Sequence, residues 1–357
     1  MDSAASRNYQ KGQKRLGMKR FGPVLSLLIV IIICVGVFIF RRPQMSALRR
    51  INVLVGSSPV SVWSWNTLDS TFTVVALPDA TVIDAVSGYG KYSLEALWKL
   101  GFIDKKNGSL LADSLSDALG ISIPWYIGNK THTLEAEEDI VSYGKRFFSL
   151  SHIVPFLFGR YETNMPPGIF AAFARGFSGL RPEAITLLDL TTVTHEEELP
   201  DNTSRNVLDI QLVDVRLKGV FEDERIRKEQ ISVGLYNTTE TPALGNRAAR
   251  LLASSGISVL FVGNAEQEVN ECQIEGDKKS LASLTASMIR ELLSCEPVLS
   301  NDQKRTDLTV YIGVNFAKRY ASGFSSLESA GSPSSPVGVI SGASMEAEDE
   351  PPLAKGM

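Results

Sequence analysis

The longest uninterrupted apolar run in the chain covers residues 21–40, FGPVLSLLIVIIICVGVFIF, and contains no charged side chain. At ~1.5 Å rise per residue its length matches a hydrocarbon core of ~30 Å, so the pattern predicts a membrane-spanning helix. The run is longer than the apolar part of a signal peptide, and RRPQ follows it instead of a small-residue cleavage site, so we expect an uncleaved anchor. The basic residues of segment 1–20 outnumber the arginines just after the run, which favours a cytoplasmic N-terminus and an extracytoplasmic bulk.

Beyond the anchor, short apolar runs rich in β-branched residues alternate with helical patterns, which is typical of an α/β fold. Buried strands are predicted over residues 51–55 (INVLV) and 72–77 (FTVVAL). A third strand is predicted over residues 121–127, at a sheet edge because Pro124 interrupts it. We therefore expect an α/β domain over residues 45–220.

Helices in the same region are predicted from their start and stop residues. Ser93 and Ser109 can each cap a helix, and Gly101 and Gly120 end the two helices. A third helix, after a Pro-Pro pair, carries a phenylalanine face at i, i+3 and i+7. That face suits a lipid-binding groove or a helix core, and a core is the more common use of such a stripe. Its residues are Phe170, Phe173 and Phe177.

Three polar segments are predicted to lie at the surface. Residues 195–206 (HEEELPDNTSRN) predict a loop or the approach to a domain boundary. Residues 222–229 (EDERIRKE) predict a solvated face with opposite charges paired three or four positions apart, not an active site. Residues 321–357 are dominated by Ser, Gly, Pro and Ala and end in an acidic cluster, so we expect a disordered tail.

The clearest pattern covers residues 228–320, where strand-like and helical stretches alternate and predict a smaller, compact βαβαβ domain. Thr239 or Thr241 is expected to cap its first helix, and Gly256 to end it. The predicted elements are strands over residues 231–237, 257–263 and 308–313, and helices around 244–252 and over 279–293.

Composition and charge narrow the function classes. The 357 residues include 36 Lys and Arg against 40 Asp and Glu, a net charge of −4, which offers no basic surface for nucleic acid. The three histidines (His132, His152 and His195) and three cysteines are too widely spaced for a short zinc motif. No P-loop, GxSxG or kinase motif is present, and no GxGxxG follows a strand. We expect no nucleic-acid partner and no metal chemistry built on His or Cys.

The cysteines fit an extracytoplasmic location. Cys34 lies within the anchor, whereas Cys272 and Cys295 lie beyond the membrane, where thiols can oxidise. A bridge between them would close a loop of about two dozen residues and contribute ~3 kcal/mol on the chain-entropy model. Two separately buried thiols are the alternative.

Candidate anion-binding residues are few. In residues 88–92 (GYGKY), backbone amides and Lys91 could meet a phosphate, although a turn leading into the helix at Ser93 is the more common role of such a segment. Arg175 and Arg181 are the further candidates.

Several stretches together carry a family resemblance. They are the anchor, FTVVALP, GYGKYSLEALWKLG, LGISIPWYI, and a C-terminal part running from ISVGLYNTTETPALGNRAARLLASSGISVLFVGNA to DLTVYIG. The chain resembles the LytR-CpsA-Psr family of bacterial envelope proteins over residues 45–320, and residues 228–320 resemble its LytR C-terminal domain. The resemblance implies transfer of a wall glycopolymer from a polyprenyl pyrophosphate carrier to peptidoglycan, with arginines on the pyrophosphate and aspartates on a divalent metal.

The charged residues of that family pattern are not in register here. Across FTVVALP, an ungapped comparison puts the arginine and aspartate before the strand at Leu68 and Ser70, and the Pro-Arg-Asp after it at Pro78, Asp79 and Ala80. An anion at a cation position opposes diphosphate binding, since like charges ~4 Å apart repel by ~4 kcal/mol at an effective dielectric of 20. If the alignment is moved by one or two residues, Asp69 or Asp79 falls at an aspartate position of the family and becomes a candidate metal ligand and catalytic residue. The family's arginines are not recovered by such a move.

These observations lead to a primary expectation and two alternatives. The first is a membrane-anchored envelope protein, with a degenerate, non-catalytic N-terminal domain, that acts in binding or assembly at the cell wall, with peptidoglycan or an envelope glycopolymer as partner and no cofactor. The second is an active, Mg²⁺-dependent glycopolymer transferase, an LCP-type phosphotransferase whose arginines come from other loops. The third is a structural or regulatory membrane protein that binds no glycan. The arginines of the second are Arg146, Arg160, Arg175 and Arg181.

Overall fold

The computed structural model describes residues 50–56, 59–128, 142, 144, 147–300 and 305–321. The predicted basic segment 1–20, the anchor over 21–40, Arg146 and residues 322–357 of the predicted tail lie outside these ranges. Within them, no helix is both long enough and apolar enough to cross a membrane.

The architecture is mixed α/β, with three sheets. The strands are β1 Arg50–Gly56, β2 Val60–Asn66, β3 Thr71–Leu77, β4 Val82–Ala85, β5 Gly90–Ser93, β6 Trp125–Gly128, β7 Glu162–Thr163, β8 Ile185–Asp189, β9 Thr194–Glu198, β10 Ser204–Leu208, β11 Ser232–Asn237, β12 Ser258–Asn264, β13 Gln273–Gly276, β14 Glu296–Leu299 and β15 Leu308–Ile312. The α-helices are α1 Leu94–Ile103, α2 Ser109–Leu119, α3 Ile153–Leu157, α4 Pro167–Ser178, α5 Ile210–Leu217, α6 Glu224–Glu229, α7 Leu244–Ser254, α8 Lys278–Leu281, α9 Leu284–Leu293 and α10 Val314–Ala321.

A six-stranded sheet in the order β7-β6-β1-β2-β3-β8 organises the first half of the chain. Its centre is an antiparallel meander of β1, β2 and β3, and β6 and β8 join it in parallel on either side. Both faces of the three central strands are buried, which explains why β1 and β3 read as continuous apolar runs.

Separate hydrophobic cores cover the two faces of this sheet. One contains Leu54, Val75, Trp98 and the inward residues of α1 and α2, and it extends to Phe221. The other is aromatic. It contains the predicted phenylalanine stripe of α4, whose three rings are buried and pack on Trp63, Phe72 and Phe148, so the stripe belongs to the core.

The Trp98 indole lies against backbone that carries no side chains. A Cβ added to Gly56 or Gly128 would lie within 2.6 Å or 2.5 Å of its ring. These two glycines sit opposite each other on β1 and β6, so the ring closes over the end of that strand pair. Bulkier residues there would push α1 away from the sheet.

A four-stranded sheet, in the order β5-β4-β10-β9, corrects the prediction of a loop over residues 195–206. Those residues form most of the antiparallel pair β9 and β10, joined by a turn at residues 199–203. The acidic side chains of β9 stay in solvent, and Glu197 pairs with Lys91 and Arg205. The partners of Glu197 come from other strands, which a local reading of HEEEL does not reveal.

The C-terminal half of the described chain forms a five-stranded sheet, in the order β12-β11-β15-β13-β14. Its core begins with Ile226, whereas the first core ends at Phe221. We call residues 50–221 the N-terminal unit and residues 222–321 the C-terminal unit. The three predicted strands are β11, β12 and β15, and β11 pairs in parallel with the other two. The βαβαβ prediction is incomplete, because β13 and β14 are added to the sheet and β13 runs antiparallel to β15.

Cys272 and Cys295 form a disulfide with a Cα–Cα distance of 4.3 Å. They directly precede the parallel strands β13 and β14, and both are buried in the core of the C-terminal unit. The bridge therefore ties together the two strands that the βαβαβ prediction omitted.

Two predicted helix caps in the N-terminal unit have different outcomes. The Ser93 hydroxyl accepts from the Ala96 amide, as predicted, but α1 continues past Gly101, which the carbonyl of Asn107 approaches too closely for a Cβ. Ser109 is the first helical residue instead of a cap, and its hydroxyl donates to the Lys106 carbonyl at 2.5 Å.

Predicted helix boundaries in the C-terminal unit also change. Neither Thr239 nor Thr241 caps α7, because Thr239 donates both its amide and its hydroxyl to Asn237 Oδ1 and the helix starts after Ala243. The helix predicted over 279–293 is split into α8 and α9, since Ser283 caps a new helix by accepting from the Ala286 amide.

The strand predicted over residues 121–127 begins at Trp125 and is not the outermost strand, because β7 pairs with it. Side-chain amides occupy the carbonyls before it: Asn52 Nδ2 donates to Ser122 at 2.7 Å, and Asn164 Nδ2 donates to Pro124 at 2.9 Å. Pro124 has no backbone N–H to donate to a ladder, and the regular strand begins after it.

Candidate functional site

A cleft of about 510 Å³ lies between the two units. On the N-terminal side it is bounded by the start of β1, the β2–β3 turn, the segment leading into β6 and Phe221. On the C-terminal side it is bounded by residues 222–225 and one face of α9. Its lining includes Arg50, Leu68, Asp69, Trp125, Phe221, Glu222, Asp223, Glu224, Arg225, Met288, Glu291 and Leu292.

The β2–β3 turn shapes one wall. Asn66 Oδ1 accepts from the Leu68 amide at 3.2 Å, and Asp69 Oδ1 accepts from the Thr71 hydroxyl at 3.0 Å. Ser70 takes a positive φ of 55° to close the turn. As a result Leu68 is 61% exposed at the cleft, beside the carboxylate of Asp69.

The cleft carries five carboxylates and two guanidiniums among its lining residues. Three of the carboxylates have cationic partners: Asp223 with Arg225 at 3.0 Å, Glu222 with Arg227 at 3.4 Å and Glu224 with Lys228 at 2.8 Å. The charged lining residues outside these three ion pairs are two carboxylates and one guanidinium, namely Asp69, Glu291 and Arg50. The surface has no cation excess, which a diphosphate requires.

Arg50 is the one guanidinium of the N-terminal unit that lines the cleft within the described residues. Its Nη1 donates to Ser64 Oγ at 3.4 Å, and its guanidinium carbon lies 5.5 Å from the centre of the Phe221 ring. Burial lowers the pKa of Arg50, and the charges of Asp69 and Asp223 oppose that shift. The side chain stays cationic, since an arginine pKa lies far above neutrality, and can offer donors to one acidic or carbonyl group.

Glu291 lies where this cleft meets a smaller one of about 320 Å³. Burial by the surrounding protein raises the pKa of this carboxyl, even though the residue retains solvent exposure. The smaller cleft adds Asp113, Asp117 and Arg247 to its lining. Both clefts are therefore acidic where they join.

The two units are held together by arginines of α7 at the end of α2. Arg250 donates to the carbonyls of Asp117 and Ala118, and Arg247 pairs with the Asp117 carboxylate at 2.7 Å. Burial raises the pKa of Asp117, while the charges of Arg247 and Arg250 oppose the rise. Cations at the carbonyl end of a helix are favourable, so this contact fixes the geometry of the cleft.

Asp69 and Asp79 do not form a shared metal site. They lie at opposite ends of β3, whose seven residues separate them by roughly 20 Å. Asp79 Oδ1 accepts from the Val60 amide at 3.0 Å and its carbonyl accepts from the Glu95 amide, so it joins β2 to the start of α1. The described residues contain no cluster of three His, Cys, Asp or Glu that could hold a metal. Asp69 and Asp79 therefore cannot together ligate the Mg²⁺ that the family resemblance implies.

The predicted anion-binding residues are not brought together. Lys91 pairs with Glu197 at 2.9 Å in the four-stranded sheet, and this hydrogen bond and that of Arg205 lower the pKa of Glu197. Arg175 is exposed on α4, and Arg181 is exposed after it. None of the three lines either cleft within the described ranges, and neither does Arg160.

Asp69 is the one candidate site residue from the sequence that lines the cleft within the described residues, whereas Arg50, Trp125 and Glu291 are not predicted there. Arg50 follows the predicted anchor and is the first residue of β1. Glu291 and Trp125 carry no local motif. A signal was present for Arg50 alone, as a cation directly before a buried strand.

Comparisons with known proteins extend these observations. No family model and no curated protein matches the chain. Solved structures that resemble it include the transcriptional regulator yvhJ from Bacillus subtilis, at 13% identity and a TM-score of 0.36, covering 48% of this chain and 96% of that one. TagV from B. subtilis is 14% identical with a TM-score of 0.35, covering 47% and 93%. TagT bound to LIIa-WTA is 11% identical with a TM-score of 0.34, covering 48% and 89%.

Proposed function

We propose that this chain is a single-pass, membrane-anchored cell-envelope protein that binds a wall polymer in the cleft between its units and does not transfer a pyrophosphate-linked polymer. The observation that carries the proposal is the charge of the cleft, where five carboxylates accompany two guanidiniums. A diphosphate is multiply anionic and needs several unopposed cations. The sequence resemblance to envelope proteins supports a location in the cell envelope. The lining of the cleft lacks the unopposed cations that a diphosphate needs, which supports binding without transfer.

The position of Arg50 supports a location near the membrane. The predicted anchor ends at Phe40, ten residues before Arg50. An extended chain of this length spans at most ~35 Å. In this proposal the N-terminus is cytoplasmic, both units are extracytoplasmic, and the cleft, which contains the first residue of β1, faces the membrane side of the protein.

The lining indicates the kind of ligand. Trp125, Phe221 and Leu68 offer aromatic and apolar contact, Arg50 offers donors to one carbonyl or carboxylate, and Glu291 offers an acceptor. A polymer of sugars and short peptides carries hydroxyl, amide and amino groups that fit this mixture. A polyphosphate chain would meet an acidic surface instead.

The test is co-sedimentation of the full-length chain, reconstituted in nanodiscs, with purified peptidoglycan. We expect retention, and Trp125→Leu should reduce it at least threefold because it removes the aromatic surface of the cleft. Tyr92→Leu is the matched control, since Tyr92 is an exposed aromatic residue on β5, away from the cleft. Absence of retention in the wild-type chain would replace the proposal with a structural or regulatory protein that binds no glycan.

One observation favours the second candidate, a glycopolymer transferase. Arg50 lies in the same cleft as Asp69, and the two charges interact. A transferase requires these residues to meet a lipid-linked pyrophosphate with Mg²⁺. It predicts metal-dependent binding of a polyprenyl pyrophosphate, with loss of binding in Arg50→Gln.

A further inference from the structure

The sheet of the C-terminal unit has two faces, and its hydrophobic core lies on only one of them. Val233, Leu235 and Val310 point into the core under α7 and α9. Because successive side chains on a strand alternate, the neighbouring positions point the other way. We call the opposite side the outer face; its residues are Ser232, Gly234, Tyr236, Phe261, Gly263, Gln273, Glu275, Glu296, Val298, Thr309 and Tyr311.

Three aromatic rings from adjacent strands form a continuous row on the outer face. The ring centres of Phe261 and Tyr236 are 5.4 Å apart, and those of Tyr236 and Tyr311 are 5.5 Å apart with nearly parallel planes. The row crosses β12, β11 and β15, and each ring is half-buried.

Two glycines keep these rings close to the sheet. A Cβ on Gly234 would lie 2.4 Å from the Phe261 ring, and one on Gly263 would lie 3.3 Å from the Tyr236 ring. Each ring therefore leans over the backbone of the neighbouring strand. The Phe261 ring meets the Tyr236 ring at an interplanar angle of 70°, whereas the Tyr236 and Tyr311 rings lie at 14° to each other, so the two tyrosines present the parallel part of the row.

In the described part of the C-terminal unit, the helices pack on the other face. The buried hydrophobic residues of α7, α9 and α10 belong to the core that contains Val233 and Val310. That core includes Leu252, Ile289 and Phe316. The aromatic row therefore lies on a face to which these helices contribute no cover.

Charge on the outer face selects among ligands for the row. Gln273 lies directly opposite Tyr311, and Glu275 and Glu296 are the next polar positions. The outward strand positions of the described sheet include no Lys or Arg. Nucleic acid and polyphosphate polymers would be repelled. An uncharged ligand with hydroxyl groups can donate to the carboxylates and to the Gln273 side chain.

We propose that the row of Phe261, Tyr236 and Tyr311 is a binding platform for an uncharged oligosaccharide. The C–H face of a sugar ring is apolar and weakly positive, and it stacks on the negative face of an aromatic ring. Hydroxyl groups at the rim of the sugar then reach Gln273, which lies directly opposite Tyr311. The platform is separate from the cleft, so it stands whether or not the cleft binds a wall polymer.

The test is calorimetric titration of the full-length chain in nanodiscs with chitohexaose, a neutral N-acetylated oligosaccharide. Tyr236→Leu and Tyr311→Leu should each raise Kd about tenfold, because each removes one stacking surface. Tyr236→Phe should keep wild-type affinity, and Tyr92→Leu, at an exposed aromatic residue on β5 away from the row and the cleft, should leave it unchanged. Equal affinity in the wild type and both leucine variants, or no binding by the wild type, would overturn the proposal.

A second measurement needs no variant. Nitration by tetranitromethane, mapped by mass spectrometry, reports the accessibility of each tyrosine in the wild-type chain. Saturating chitohexaose should lower nitration of Tyr236 and Tyr311 at least threefold while Tyr92 on β5 is nitrated as before. Unchanged nitration of both row tyrosines would contradict the platform, as would their protection by an added protein but not by the sugar.

Discussion

Arg250 donates through its two terminal nitrogens to the carbonyls of Asp117 and Ala118, residues that lie more than a hundred positions earlier in the chain. Its Nε also donates to Asp214 at 2.7 Å. One guanidinium of the C-terminal unit thereby satisfies the end of helix α2 and a carboxylate of α5. This contact therefore joins the C-terminal unit to the N-terminal unit.

Removing that guanidinium should loosen the contact between the units. Arg250→Ala leaves the last carbonyls of α2 without these partners, so we expect a loss of ~2 kcal/mol in the free energy of unfolding. Amide hydrogen exchange should accelerate in the last turn of α2. Arg290→Ala, at an exposed arginine of α9, is the control and should change neither quantity. Equal exchange rates in Arg250→Ala and the wild type would show that the contact is not stabilising.

The close packing of Trp98 on backbone predicts a sharp difference between two glycines. Gly128→Ala places a Cβ 2.5 Å from the indole, whereas a Cβ on Gly179 has no atom within 4 Å. We expect Gly128→Ala to lower the free energy of unfolding by ~1–3 kcal/mol. Gly179→Ala should be near neutral. Urea denaturation of both variants measures the difference, and indistinguishable midpoints would be inconsistent with the packing.

The bridge between Cys272 and Cys295 spans 23 positions of the chain. In the chain-entropy model a loop of this size contributes ~3 kcal/mol. The double variant Cys272→Ala, Cys295→Ala should lose about that amount in urea denaturation, and wild-type protein treated with reductant should approach it. Thiol titration of the untreated wild-type chain provides the control. Finding Cys272 and Cys295 free and reactive there would contradict the bridge.

Glu229 links α6 to the start of α9 and gives stability a dependence on pH. Its carboxylate accepts from the amides of Leu284 and Thr285 and from the Thr285 hydroxyl. Burial alone would raise its pKa, but these hydrogen bonds outweigh burial and lower it from the ordinary 4.5. The stabilisation is therefore present above pH 4.5 and is lost as the pH falls through the lower pKa of the folded state.

The expected consequence is a variant whose defect disappears in acid. Glu229→Gln should lower the free energy of unfolding by ~1 kcal/mol near neutral pH, as loss of a helix cap does. The deficit relative to the wild type should shrink as the pH drops below 4.5. Thermal unfolding from neutral pH to about pH 3 measures this, with the exposed Glu266→Gln as control. A deficit of constant size across the range would rule out the carboxylate as the cause.

The strands that could be predicted from the sequence are those buried on both faces. β1 and β3 are continuous apolar runs because each contacts two cores. β2 was missed because Ser61 and Ser64 interrupt its pattern, although both are buried and Ser61 Oγ accepts from the Trp63 indole N–H at 2.9 Å. A buried polar residue whose hydrogen bonds are made inside a sheet looks, in the sequence pattern, like an exposed position.

The candidate site was hidden for a different reason. Arg50 and Glu291 lie at nearly opposite ends of the described chain and meet in one cleft only after the two units pack together. The sequence does predict that charged residues of the family pattern are missing, since Leu68 and Ala80 lie at positions where that pattern has an arginine and an aspartate. Which charges replace them depends on α6 and α9, which no local motif connects to β1.

The central claim is that the cleft does not hold a lipid-linked diphosphate. The most direct measurement is a titration of the full-length chain in nanodiscs with geranylgeranyl pyrophosphate, with and without Mg²⁺. The charge of the cleft predicts binding that is weak, insensitive to Mg²⁺ and unchanged in Arg50→Gln. Tight binding that requires Mg²⁺ and is lost in Arg50→Gln would contradict the claim and make the chain a transferase.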